Sequence, residues 1–402
     1  MRKILRSFAR NCVGDALLSE LRKLRNGFAD RRVVSIPSSG SLRGKVLLSY
    51  VLSPFVLKAG QEISEAHSNH WECFLMARTF ADLGFSVDII NWSNKWFVPR
   101  DEYAIFVDVR WNMQRLAPLL NKDCIKIFHI ETCQMLHHNA AEANRLLALQ
   151  GRRGVTLQPR RFEYPNLGIE HADCGTILGN EATIRTFRYA QKPIHRIPIS
   201  VPRVYPWSEG KDFTECRNRF LWFGSGGCVH KGLDLVLEAF AEMPNYHLTV
   251  CGPVANEKDF EKAYYRELYE TPNISYLGWV DIASKEFERL ANTCVGVVFV
   301  SASEGGGGSV ITCMHAGVIP IVNYEASVDV TDDFGIVLED SSVKTIKEAV
   351  HTLANQSEGQ LQRMARRAWD FARANHTKER FVEEYRKVIE KILEAPQADV
   401  SL

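Results

Sequence analysis

The chain has 402 residues, which is too long for one ordinary hydrophobic core and suits two domains of usual size. Hydrophobic residues make up 46% and charged residues 24%, a composition typical of folded globular proteins rather than disordered ones. The formal net charge of +1 argues against nucleic acid as the main partner.

The charge is distributed unevenly between the two halves of the chain. Lys and Arg outnumber Asp and Glu by roughly ten in residues 1–200, whereas the acids are in excess by roughly nine in residues 201–402. The basic half can face an acidic acceptor, a phospholipid surface or the acidic half of the same chain, and the sequence leaves these alternatives open.

The ten cysteines form no CxxC motif, and most of them lie in apolar runs. This pattern predicts buried free thiols in a reducing compartment, so we expect a cytoplasmic protein. We expect no signal peptide, because an apolar core with a cleavage site is missing, and no transmembrane helix, because no apolar stretch reaches ~18 residues.

Residues 1–33 form a segment of their own. They carry nine Lys and Arg residues, and Leu17, Leu21, Leu24 and Phe28 recur at helical spacing. A basic amphipathic helix of this kind can lie on the anionic inner face of a membrane or pack against the neighbouring domain. Peripheral membrane contact therefore stays an open alternative.

Residues 44–200 read as a first Rossmann-like domain. Short apolar runs such as 46–51, 86–91 and 125–129 alternate with helical patterns, which is typical of a doubly wound sheet with buried parallel strands. Polar residues follow the first strand and are candidates for an acceptor site; they are His67, Asn69, His70 and Glu72. The spacing lacks a third metal ligand, so we predict no metal site. The basic strip 152–161 can receive an acidic acceptor or lie in solvent.

A second Rossmann-like domain is predicted over residues 213–375. The segment 199–212 has two prolines and no helical period, which indicates an interdomain linker, and the alternation of strands and helices restarts after it. Ligands should bind in the cleft between the two domains, at the carboxyl ends of the strands. Residues 376–402 contain a helical pattern that can return to the first domain.

The most informative stretch, 297–323, contains a strand, Glu304 and four successive glycines, Gly305–Gly308, before a short helix. Glycines let backbone approach a ligand, and free amides at a helix start attract phosphates or sugar hydroxyls. Glu304 is placed to accept hydrogen bonds from a polyol. A similar strand, glycine turn and helix recur at 220–240, where Lys231 at the helix entry suits a diphosphate.

These two stretches resemble the donor site of glycosyltransferase family 4 (glycosyl transferases group 1), a family of the GT-B superfamily. HAGVIPIV (315–322) fits the closing part of the family motif, Glu304 matches its first glutamate, and Lys231 matches its diphosphate-binding lysine. Thr312 stands where the family has a second glutamate that holds the ribose. Ser225 stands where it has an arginine, and His230 or an arginine from elsewhere are open as replacements.

The resemblance implies a GT-B fold and transfer of a sugar from a nucleotide-diphosphate-sugar to a hydroxyl acceptor. It implies retention of configuration, no metal and no further cofactor, with His129 facing the donor sugar beside Glu304. The residues expected to bind the donor are Gly224, Ser225, Gly226, Lys231, Gly305, Gly306, Gly307, Gly308, Ser309, Val310 and Thr312.

Polysaccharide or glycolipid assembly is the pathway that the resemblance suggests, with a UDP- or GDP-sugar as donor and a glycan, lipid-linked or small-molecule acceptor. Two alternatives remain. The chain can be a catalytically degenerate GT-B partner protein, because of Ser225 and Thr312, or another GT-B enzyme such as a nucleotide-sugar epimerase.

Overall fold

Two sheets of mainly parallel strands, each flanked by helices, make up residues 31–395, the part of the chain that this computed structural model describes. The fold is therefore α/β with two Rossmann-like domains, as predicted. Residues 1–30, which include Cys12 and nearly all of the basic segment, and residues 396–402 lie outside the described part.

The first domain contains a seven-stranded sheet in the order β1-β3-β2-β4-β5-β6-β7. Only β1, at the edge, runs antiparallel to its neighbour. The strands are β1 Val33–Ile36, β2 Gly44–Tyr50, β3 Phe85–Asn91, β4 Ile105–Asp108, β5 Ile125–Ile130, β6 Cys174–Ile177 and β7 Ile194–Arg196. The central strands are buried on both faces, which explains their continuous apolar runs.

Four α-helices belong to this domain: α1 Ser68–Asp82, α2 Asn112–Leu116, α3 Met135–Arg153 and α4 Glu181–Ile184. Short 3-10 helices lie at Ser53–Phe55, Ala117–Leu119, Ile169–His171 and Arg185–Ala190. Helix α3 begins at Met135, because the side chain of Gln134 accepts hydrogen bonds from the first amides of the helix. It ends where Gly154 adopts a left-handed conformation.

The second domain contains a six-stranded parallel sheet in the order β10-β9-β8-β11-β12-β13. Its strands are β8 Arg219–Phe223, β9 His247–Cys251, β10 Ile274–Gly278, β11 Gly296–Phe299, β12 Ile319–Asn323 and β13 Ile336–Leu338. Its helices are α5 Phe213–Cys216, α6 Leu233–Ala241, α7 Lys258–Ala263, α8 Tyr265–Tyr269, α9 Lys285–Thr293, α10 Gly308–His315, α11 Val343–Ala354 and α12 Glu358–Asn375, with 3-10 helices at Val254–Asn256 and Tyr324–Ala326.

The last helix, α13 Lys378–Glu394, packs on α1 of the first domain. Phe381, Tyr385 and Ile389 are fully buried, and the ring of Tyr385 lies 5.8 Å from that of Phe80 on α1. The chain thus crosses between the domains twice, once before α5 and once before α13.

Arginines at the end of α3 and in the following loop attach the first domain to acidic residues of the second. The guanidinium of Arg152 contacts Asp234 at 2.7 Å and Glu238 at 2.8 Å, and that of Arg153 contacts Glu267 at 2.8 Å. Arg160 pairs with Asp259. These arginines of the strip 152–161 are partly exposed, but each is paired with an acid of the acidic half of the same chain.

Two further predictions concern the cysteines and membrane spans. All nine cysteines within residues 31–395 are free and buried, which confirms the prediction for this part of the chain. Within the same residues, no helix is long and apolar enough to span a membrane.

Candidate active site

A cleft of about 800 Å³ separates the two domains at the carboxyl ends of their strands. The second domain contributes the residues after β8, β9 and β11, and the first domain contributes those after β4 and β5 and the loop before α1. Predicted site residues that line the cleft are His67, Asn69, Gly224, Ser225, Lys231, Glu304, Gly307, Gly308, Ser309 and Thr312.

Lys231 and Glu304 form an ion pair in this cleft. The Nζ of Lys231 donates to Oε1 of Glu304 at 2.6 Å, and the hydroxyl of Ser301 donates to the same oxygen at 3.0 Å. Burial alone would raise the pKa of Glu304, but the positive charge of Lys231, with smaller effects of His230 and Arg161, lowers it to about 2. Burial lowers the pKa of Lys231, and Glu304 opposes this shift. The pair places a buried cation beside a carboxylate that is 13% exposed, at the wall of the cleft.

The four glycines after Glu304 have two different surroundings. A Cβ on Gly305 would lie 2.0 Å from the carbonyl oxygen of Glu131, which follows β5 of the other domain, and one on Gly306 would approach Ile199. Gly307 and Gly308 line the cleft instead. Helix α10 begins there with no side-chain cap, so its first amides remain for a ligand. Gly305, Gly306 and the fully buried Val310, which were also predicted to bind the donor, do not line the cleft.

The glycine turn after β8 also differs from the prediction. Gly224 and Ser225 line the cleft, but Gly226 does not. The next two amides, of Gly227 and Cys228, donate to the carboxylate of Glu257 at 2.5 and 3.1 Å. A carboxylate of the protein therefore occupies the amides that a phosphate would use at this point of the turn.

His129, which was predicted to face the donor sugar, does not line the cleft. Its side chain is fully buried in β5, where Nδ1 lies 2.9 Å from the hydroxyl of Thr176 and the ring lies beside Tyr50. Burial lowers the pKa of His129 to about 3. Glu131, two residues further along, lines the cleft and accepts a hydrogen bond from Tyr50.

Of the residues predicted to bind the acceptor, which lie at the start of α1, only two line the cleft. His67 and Asn69 line the cleft, whereas His70 does not and lies edge-on to the ring of His67. Glu72 does not reach the cleft, because the helix turns it into the core. There it accepts a hydrogen bond from the amide of Ser200 at 3.2 Å, and burial raises its pKa to about 8.

Several cleft residues were not among the predicted site residues, namely Arg110, Glu131, Arg161 and Trp279. Arg110 and Glu131 follow parallel strands, so the strand-end rule applied to every strand would have indicated them. Arg161 comes from a loop that the sequence does not connect with the second domain.

The hydroxyl of Thr312, at the position of the family's ribose-binding glutamate, donates within α10 to the carbonyl of Gly308 at 2.8 Å. It can still accept a hydrogen bond from a ligand. Among the described residues, no group of three or more His, Cys, Asp and Glu side chains is arranged to hold a metal ion.

Comparisons with known proteins agree with this architecture. Residues 225–370 match the family model described as glycosyl transferases group 1. Sucrose-phosphate synthase from Thermosynechococcus elongatus has a TM-score of 0.59 and 13% identity, with 88% of this chain and 100% of that chain covered. HepE from Anabaena, solved in complex with UDP and glucose, has a TM-score of 0.54 and 12% identity over 88% of this chain and 100% of HepE.

Two structures of TarM, one of them from S. aureus, have a TM-score of 0.49 and identities of 15% and 13%. They match 72% and 71% of this chain, which spans only 54% and 55% of their length. No curated protein sequence matches the chain. The protein has the GT-B fold, and its residues 225–370 match the glycosyl transferases group 1 family model.

Proposed function

We propose that the protein is a glycosyltransferase that moves a sugar from a nucleotide-diphosphate-sugar to a hydroxyl acceptor, with retention and without a metal. The observation that carries this proposal is the buried Lys231–Glu304 pair beside the uncapped start of α10, in a cleft between two Rossmann-like domains. A fixed cation and free amides suit a departing diphosphate, whose charge must be stabilised. HepE, which shares the fold, was solved with UDP and glucose.

The cleft residues then have distinct roles. Lys231 and the first amides of α10 stabilise the negative charge that develops on the diphosphate when the bond to the sugar breaks. Glu304, ionised because its pKa is about 2, accepts hydrogen bonds from the sugar hydroxyls. The acceptor enters from the first domain, past His67 and Asn69, and its hydroxyl attacks the face that the diphosphate leaves.

Thermal unfolding with UDP, GDP, ADP and TDP tests the donor site first. A bound nucleotide at ~100 Kd should stabilise the chain by roughly 2.7 kcal/mol, which is visible as a rise in Tm. We expect one nucleotide to raise the Tm of the wild type and the Lys231→Ala variant to lose this rise. The matching nucleotide-sugar should then be turned over by the wild type but not by Glu304→Ala, provided that this variant still binds the nucleotide.

Absence of any nucleotide effect on the wild type would contradict the proposal. It would favour a second candidate, a catalytically degenerate partner protein with the same fold, for which Ser225 and the internally bonded hydroxyl of Thr312 speak. Polysaccharide or glycolipid assembly and peripheral membrane contact through residues 1–33 remain proposals about the pathway and the location.

A further inference from the structure

The cleft contains a guanidinium that comes from the first domain. Arg161 lies in the loop after α3 and lines the cleft together with Gly224, Ser225 and Lys231 of the second domain. Its aliphatic stem rests on Gly227, where a Cβ would lie 2.6 Å from Cγ and 2.9 Å from Cδ of the arginine. The missing side chain at Gly227 thus makes room for an arginine of the other domain.

The backbone of Arg161 is fixed on both sides. Its amide donates to the carboxylate of Glu142 at 2.8 Å, and its carbonyl accepts from Nε2 of His138 at 2.8 Å. The other ring nitrogen of His138 lies 3.1 Å from the hydroxyl of Ser303, which precedes Glu304. These hydrogen bonds connect the backbone of Arg161, through His138 and Ser303, to the segment that carries Glu304.

The Arg161 guanidinium acts on the carboxylates of Glu304 and Glu131 only through its charge, without a direct contact. Arg152, Arg153 and Arg160 pair with acids of the second domain, whereas the side chain of Arg161 forms no hydrogen bond or ion pair with residues 31–395. Its Nε is buried without a partner. A buried guanidinium nitrogen without a hydrogen-bond partner destabilises the protein. An anion bound in the cleft would supply the missing partner.

His230 cannot supply this charge. Its ring is almost completely buried, it does not line the cleft, and it lies 2.6 Å from the carbonyl of Ser303 and against the ring of His138. Burial lowers the pKa of His230 to about 3, so the ring is neutral at pH 7.

We propose that Arg161 binds the diphosphate of the donor from the opposite domain, in place of the arginine that Ser225 lacks. This inference rests on the proposed function and adds the residue that completes its donor site. A guanidinium offers paired donors to phosphate oxygens, which one lysine cannot provide alone. The diphosphate would then be held by both domains at once, with Lys231 on one side and Arg161 on the other.

The test is calorimetric titration of the full chain with UDP, GDP, ADP and TDP and with the corresponding monophosphates. For the diphosphate that the wild type binds, Arg161→Ala should raise Kd by about 10- to 100-fold, the loss of one charge-assisted contact. The Kd of the monophosphate should change much less. Arg161→Lys should recover part of the difference, and the double variant Arg161→Ala with Ser225→Arg should recover more, because it restores a guanidinium from the family's position.

Arg160→Ala is the matched control, since it removes the neighbouring arginine and its pair with Asp259, and neither residue lines the cleft. Its Kd values should equal those of the wild type. Equal diphosphate affinity of Arg161→Ala and the wild type would overturn this inference alone, and so would an equal loss of diphosphate and monophosphate binding, which indicates a merely structural role. A wild type that binds none of the nucleotides would overturn the proposed function and this inference with it.

Discussion

Two buried glutamates of this chain, Glu304 and Glu72, have opposite pKa shifts because their neighbours differ in charge. Glu304 lies against the Lys231 cation and is ionised at all ordinary pH values. Glu72 has Tyr50 and Glu131 nearby and, among residues 31–395, no cation within hydrogen-bond distance, so burial dominates and its pKa rises to about 8. Residue type and burial alone therefore do not decide whether a glutamate of this protein carries charge.

The shift at Glu72 predicts a pH dependence of stability. The folded state keeps this proton between about pH 4.5 and 8, whereas the unfolded chain has lost it, so wild-type stability falls as pH rises through this window. Glu72→Gln removes this contribution. Its free energy of unfolding relative to the wild type should increase by as much as about 1 kcal/mol per pH unit. Melting curves from pH 4.5 to 8.5 measure the difference.

Glu209, an exposed residue of the interdomain linker, provides the control for this experiment. The stability of Glu209→Gln should follow that of the wild type at every pH. Parallel profiles of Glu72→Gln and the wild type would show that Glu72 is ionised in the folded protein.

At the scale of single residues, the sequence was sufficient to identify those site residues that belong to a local motif. Glu304 and Lys231 were found because each lies at a fixed distance from its own strand, and the cleft contains both. Arg161 could not be found in the same way. Its place in the site depends on which loop of the first domain touches the second, and no local spacing in the sequence indicates this.

At the scale of elements, the strand, glycine loop and helix around β11 and α10 show how far a pattern can be interpreted. The element types followed from apolar runs and from the glycines, and the structure confirms β11 and α10 near the predicted positions. The division of the four glycines did not follow, because Gly305 is required by the backbone of Glu131 and Thr132 in the other domain.

Gly305→Ala should therefore disturb the contact between the domains. The new Cβ would lie 2.0 Å from a backbone carbonyl, which cannot move like the end of a flexible side chain. We expect a loss of about 1–3 kcal/mol of stability, as for overpacking in a core, together with weaker nucleotide binding. Melting temperature and nucleotide titration measure the two effects.

Gly210→Ala provides the comparison, because nothing lies within 4 Å of its added Cβ. It should change stability by no more than about 0.5 kcal/mol. A Gly305→Ala protein as stable as Gly210→Ala would mean that the two domains do not meet at this glycine.

At the scale of the whole molecule, two domains joined by a cleft could be anticipated from the repeated alternation of strands and helices. How the domains face each other could not, because it depends on pairs between the domains such as Arg152 with Asp234. It also depends on α13, whose sequence shows an apolar face but not the surface on which that face packs. The structure places this face on α1, with Tyr385 at the centre of the contact.

Two variants of Tyr385 distinguish the contribution of its buried ring from that of its hydroxyl. Its ring is fully buried between Phe80 and Phe381, and its hydroxyl has no hydrogen-bond partner within the described residues. Tyr385→Ala should cost about 3–5 kcal/mol, as for other large aromatic residues in a core. Tyr385→Phe should leave stability unchanged or raise it, because it removes only an unsatisfied buried hydroxyl. Melting temperatures that fall equally for both variants would show that the hydroxyl has a partner.

The second crossing of the chain has a consequence for biosynthesis. The core of the first domain includes side chains from residues 378–394, which leave the ribosome only after the entire second domain has been translated. Domains generally fold as units in the order of their synthesis. Here the apolar face of α1 stays exposed until α13 has been synthesised. We therefore expect a nascent chain that stops before residue 378 to need a chaperone at this face.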